Sequence, residues 1–101
     1  MLVNYTREKL NEKSHIDELL AKLNGNDLAI FDKFDQDLIN IVNDQKYILK
    51  DMDRIRIASD FCYDFCQSLL FKSEPTEKLV SDYLVKAEEK CILQSEKNTK
   101  I

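Results

Sequence analysis

Between its only glycine, Gly25, and its only proline, Pro75, the chain runs for 49 residues without either of the two strongest helix breakers. With Phe31 as position a of a heptad, the a and d positions read Phe31, Phe34, Leu38, Ile41, Gln45, Ile48, Met52, Ile55, Ser59, Cys62, Cys66 and Leu69, and ten of the twelve are apolar. Apolar residues at that spacing predict helix throughout and leave no stretch that alternates as a strand does. The phase is kept across Asn43 and Asp44, which favours one continuous helix of roughly 60 Å at about 1.5 Å per residue. The width of the stripe argues the other way. Four of the six e positions, Val42, Leu49, Tyr63 and Leu70, are apolar too, and a stripe three positions wide suits a globular bundle better than a two-stranded seam.

The flanks also read as helix. Ser14 followed by Asp17 resembles a capping box, Thr6 offers an earlier start that adds Leu10, and Ile16, Leu19, Leu20 and Leu23 form a stripe that stops at Asn24-Gly25, a C-terminal signal. Pro75 fits the first turn of a last helix, where its missing N–H costs nothing, and Val80, Tyr83, Leu84, Ala87 and Cys91 follow at helical spacing. The tail over 95–101 lacks that pattern and is expected to fray.

The expected fold class is therefore all-α, a small bundle of about four helices in a single domain over residues 1–101, with a long middle stretch that is either broken or continuous. In the favoured form the break falls near Asn43-Asp44 and the helices lie near 7–24, 27–43, 45–72 and 75–94. In the other, one long central helix carries a short helix folded back on each end, and a homodimer covers what remains. A chain of 101 residues can bury a wide stripe by itself.

Hydrophobic residues make up 44% of the chain and charged residues 34%, the balance of a folded domain rather than of a disordered tail. No apolar run approaches the roughly 20 residues of an integral membrane segment, and the start lacks the basic-then-apolar order of a secretory signal, which points to a cytoplasmic protein. Three cysteines, Cys62, Cys66 and Cys91, form an odd set that fits a reducing compartment. A formal net charge of −4, with lysines and arginines interleaved among acids, argues against nucleic acid as a partner.

No chemistry-bearing constellation emerges, so neither catalysis, a metal nor a cofactor is expected. His15 is the only histidine, which removes most nucleophile–base pairs and multi-histidine metal sites. Cys62 and Cys66 share a helix face, and their C-x3-C spacing resembles that of small mitochondrial intermembrane-space chaperones, but those carry two such pairs and this chain one. The cysteines sit at seam positions, where free Cys serves as a small hydrophobe, and Cys91 is placed to pack with them. Asp32, Asp35 and Asp37 crowd together without the loop glycine and terminal glutamate of a calcium loop, so they read as a solvated face.

One line is left over after the core positions are assigned. The c and f positions from Tyr47 onward read Tyr47, Lys50, Arg54, Ile57, Phe61, Asp64, Ser68 and Phe71. Tyr47, Arg54, Ile57, Phe61 and Phe71 have the mixed aromatic, aliphatic and Arg character of protein-binding patches, unless the first or last helix wraps over that side and makes it core. In size and four-helix layout the chain resembles the bacteriocin immunity proteins, and Leu69-Leu-Phe-Lys-Ser-Glu-Pro-Thr-Glu-Lys-Leu-Val-Ser-Asp-Tyr-Leu84 is similar to the junction between their last two helices. That resemblance implies a cytosolic protein protecting its producer at the inner face of the membrane. The expected function is contact with another protein, as inhibitor, adaptor or immunity-type factor. The alternatives are a self-associating coiled coil in which Gln45 and Ser59 tune the register, and, further off, a nucleic-acid-binding regulator.

Overall fold

In a computed structural model, residues 16–72 and 74–100 are described, and they contain four helices and no strand. We label them α1 (Ile16–Leu20), α2 (Gly25–Val42), α3 (Asp51–Phe71) and α4 (Thr76–Thr99). The three long helices pack pairwise against one another, and α1 lies on α3. The fold is a small all-α bundle. Thr6, Leu10, Ser14 and His15, together with the side chains of Ile16 and Asp17, lie outside the described residues.

The centre of the core is Phe65. Its ring stacks on Phe34 at 3.9 Å between centroids, lies 6.5 Å from Phe31, and meets the edge of Tyr83 at 5.8 Å. One ring thus joins α2, α3 and α4. Tyr83 also meets Phe34 and Phe61 edge-on, and its hydroxyl lies 2.9 Å from Ser68 Oγ, so the polar tip of this aromatic is satisfied where its body is packed. Leu38, Val42, Ile57, Ala58, Cys62, Cys66, Ala87 and Cys91 belong to the same buried cluster, as do Leu20, Leu23, Tyr47, Leu49, Leu69 and Leu79.

The continuous middle helix is corrected. After Val42 the chain leaves helix for residues 43–50 and starts again at Asp51. The two seam residues that carried the heptad across this gap are in water: Ile48 is 57% exposed and Met52 63%. Beyond the gap the buried face of α3 includes Ala58 and Phe65, both g positions, and Ile57, an f position. From Ser59 onward the counted seam positions Ser59, Cys62, Cys66 and Leu69 are buried as expected, so the phase is recovered in α3, its face widened towards g and f rather than e, although the helix is not continuous. Gln45 is exposed in the connector, and Ser59 is buried in this chain's own core with a hydroxyl that has no hydrogen-bond partner.

Side chains of the last helix hold the connector. Ile48 N–H donates to Ser95 Oγ at 2.7 Å, and Asn98 Nδ2 donates to the Ile48 carbonyl at 2.7 Å. Asn98 Nδ2 also donates to Asp53 Oδ2 at 2.9 Å, while Asp53 accepts the Lys50 N–H at 3.0 Å and so caps α3. Arg56 Nη2 bridges Asp53 (3.3 Å) and Gln94 (3.1 Å), and Gln94 Nε2 donates to Asn98 Oδ1 at 3.1 Å. These bonds give Gln94, Ser95 and Asn98 a structural task, and α4 runs on to Thr99 through residues expected to fray. On the other side of the connector, Arg54 Nε donates to the Val42 carbonyl at 3.2 Å, satisfying one of the orphan acceptors at the end of α2.

The other turn also differs from expectation. Gly25 is the first residue of α2 and has no positive φ, and the punctuation comes from Asn24, whose Oδ1 accepts the Asp27 N–H at 2.8 Å as an N-cap. A short polar cap can mark the same boundary as a terminal glycine, and sequence alone did not separate them. Pro75 stands immediately before α4, its carbonyl accepting the Leu79 N–H at 3.0 Å.

Two measurements follow. Phe65→Ala should cost about 3–5 kcal/mol in urea unfolding, whereas Met52→Ala should change stability by less than about 0.5 kcal/mol. Similar losses at both positions would restore the continuous seam. Burial alone would raise the Asp53 pKa, but the bonds from Asn98 and the Lys50 N–H and the charges of Arg56 and Lys50 hold it below its ordinary 3.8. A depressed folded pKa stabilises above the unfolded value and ceases to do so as pH falls through the folded one. The stability gap between the wild type and Asp53→Asn should therefore be flat above about pH 5 and shrink below about pH 4, read by urea midpoints.

Candidate functional site

The five residues singled out as a partner-binding line do not form one exposed surface. Tyr47 and Ile57 are buried. Arg54 is largely covered, held by Val42 and, at 3.1 Å, by Asp51. Phe61 is half-buried with its ring against Tyr83 of α4. Phe71 alone stands out, at 77% exposure. The cause is the wrapping of α4 over that side of α3, through Tyr83 on Phe61 and Gln94 on Arg56.

Phe71 ends α3 beside the α3–α4 turn, and two concavities open at this end of the bundle. The first is a crevice of about 260 Å³ between the α1–α2 and α3–α4 turns, lined chiefly by Asn24, Asp27, Lys72, Glu74 and Pro75. The second is a shallow groove of about 630 Å³ between α2 and α4, in which Ala29, Ile30 and Val80 supply the apolar surface and Lys33 and Glu77 the rim. Asn26 and Thr76 line both, so the groove and crevice are contiguous. Sequence reasoning missed the groove, because Ala29 and Ile30 fall outside the heptad seam.

Lys72 shapes the turn. It caps α3 in the left-handed region, φ 50° and ψ 43°, the one positive-φ residue among those described, and donates its N–H to Ser68 O at 2.9 Å. Glycine usually occupies such a position, since a Cβ there costs about 1–2 kcal/mol. A lysine kept at a strained terminus next to an exposed aromatic marks this end for attention.

Elsewhere the chemistry is quiet. All three cysteines are free and buried. Burial pushes the Cys66 and Cys91 thiols up to about 11, with Glu88 adding to the rise at Cys91, so neither is a ready thiolate nucleophile near neutral pH. Cys62 Sγ donates to Asp35 Oδ1 at 3.3 Å, and Asp37 pairs with Lys33 at 2.9 Å. Among the described residues no group of three or more His, Cys, Asp or Glu side chains could hold a metal ion, and no helix is long and apolar enough to cross a membrane. Ile48, Met52 and Ile92 are also exposed, and Ile92 lines a separate concavity with Tyr47.

No family model matches the chain, and neither a curated protein nor a solved structure matches it.

Lys72→Gly should raise stability by roughly 1 kcal/mol in chemical denaturation, because the backbone then reaches its left-handed cap without a Cβ. A loss of stability in this variant would show that the lysine side chain itself holds the turn.

Proposed function

We propose that this chain works by holding another protein at the end of the bundle that carries the α3–α4 turn, as an inhibitor, adaptor or immunity-type factor, by contact and not by catalysis. The observation that carries the reading is Phe71, an aromatic side chain 77% exposed on a helix terminus and next in sequence to the lining of a contiguous groove and crevice. A ring of this kind left in water forgoes about 1.5–3 kcal/mol that burial would supply. Single exposed apolar residues are ordinary, but an exposed aromatic whose neighbour in sequence, Lys72, lines a crevice contiguous with an apolar groove is a candidate interface anchor. The turn lies in the segment Leu69–Leu84 that resembles the last-helix junction of the bacteriocin immunity proteins.

Affinity capture from the native host tests the proposal with Phe71→Ala and Ala29→Glu, two substitutions at exposed positions that leave the core untouched. Both variants should fold, by circular dichroism, and should retain less than about a tenth of the protein captured by the wild type, a loss of about 1.4 kcal/mol or more. Capture of the same proteins at the wild-type level by both variants would sink the reading.

A further inference from the structure

The last helix is held in two different ways along its length. Before residue 88, Leu79 and Ala87 are buried, and Val80, Tyr83 and Leu84 pack against the core. From Glu88 to Thr99 one small side chain, Cys91, is buried, while Ile92 and Leu93 stand 46% and 54% exposed. These last turns reach the rest of the molecule through a single thiol and otherwise through polar groups.

Gln94 and Ser95 lie four and three residues before Asn98, so the three share one helix face. Their bonds to Arg56, to the Ile48 N–H and carbonyl, and to Asp53 are the fastening. The bonds to Ile48 and Arg56 lie at exposed positions, where water replaces a broken partner, so each adds little net stability. Among the described residues no ion pair joins 88–99 to the rest of the chain. A segment with few buried apolar contacts and solvent-exposed bonds opens at a cost well below that of global unfolding. What it covers is specific. Tyr47 is 7% exposed, and the concavity that it lines with Lys46 is walled otherwise by Glu88, Ile92, Ser95 and Glu96, all from these turns.

We propose that residues 88–99 form a strap that opens as a unit from the folded α2–α3 core, uncovering Tyr47 and Cys91. The closed strap is an autoinhibitory contact. It withholds an aromatic side chain that the sequence pattern marks as partner-binding, next in sequence to Ile48, which is already 57% exposed. The inference is independent of the contact reading at the other end of the bundle.

Site-resolved alkylation separates strap opening from global unfolding. The full chain is treated with iodoacetamide in native buffer, and each cysteine is followed by peptide mass spectrometry. Burial pushes the Cys66 and Cys91 thiols alike up to about 11, so unequal rates report unequal opening. Cys91 should react at least about tenfold faster than Cys62 and Cys66. The opening constant it gives should match that from hydrogen exchange at the Ile48 amide within about threefold, because one motion frees both. Asn98→Ala should speed Cys91 about tenfold, the scale of one or two net hydrogen bonds. Phe31→Leu, at a ring of α2 that packs against Phe65, weakens the closed and open states equally against the unfolded chain. It should therefore speed Cys62 and Cys66 by at least about fivefold and leave Cys91 unchanged. One common rate for the three cysteines, opening constants that disagree, an Asn98→Ala variant in which Cys91 reacts as in the wild type, or a Phe31→Leu variant that speeds Cys91 in step with the other two would overturn the strap.

Discussion

The reversal of the chain over residues 43–50 is the constraint on which the rest of the structure depends. A single helix from Gly25 to Phe71 would present its wide apolar stripe to water along much of its length. A reversal lets α2 and α3 bury their stripes against each other and against α4. The connector that makes this possible has backbone groups that no helix satisfies, and those groups must be paired or solvated. Ile48 shows how it is done, with its N–H and its carbonyl both bonded to side chains of α4. The same Asn98 amide reaches Asp53, which caps α3, so the end of one helix, the start of another and the connector form one polar unit.

Packing and polar bonds divide the work between the two ends. In the middle, the stack of Phe34 on Phe65 with Tyr83 at the edge fixes how α2, α3 and α4 meet. At the clasped end, the charge-assisted hydrogen bonds from Asn98 to Asp53 and from Arg56 to Gln94 tie α4 to α3. The opposite end has a lysine in a left-handed cap. Local rules are broken at that end without an evident gain in stability, and such departures concentrate where a protein meets something else.

Much of the fold was legible because helix patterning is a local property. The breaker-free stretch, the width of the stripe and the positions of Asn24, Asn43 and Pro75 were enough for an all-α bundle with a break near Asn43. Heptad counting placed Ser59, Cys62, Cys66 and Leu69 of α3 correctly in the core, but it failed around the break, where Ile48 and Met52 point to water, and it did not show that Ala58 and Phe65 widen the buried face. The clasp was not legible either, since Gln94, Ser95 and Asn98 look like any polar helix end until the chain returns beside them. Among the site residues, Tyr47, Arg54, Ile57 and Phe61 were read as leftover because nothing in one dimension shows which side α4 covers. Phe71 escaped that covering by standing at the last turn of α3.

The most direct test of this account is native-state hydrogen exchange at the Ile48 amide, which lies outside every helix and donates to Ser95 Oγ while Asn98 holds the carbonyl of the same residue. The account predicts slow exchange of that amide in the wild type, exchange close to that of an unstructured peptide in Ser95→Ala and in the Ser95→Ala/Asn98→Ala double variant, and a smaller rise in Asn98→Ala, with the α2 and α3 amides remaining protected. An Ile48 amide that exchanges freely in the wild type, or stays protected when both side chains are removed, would contradict it.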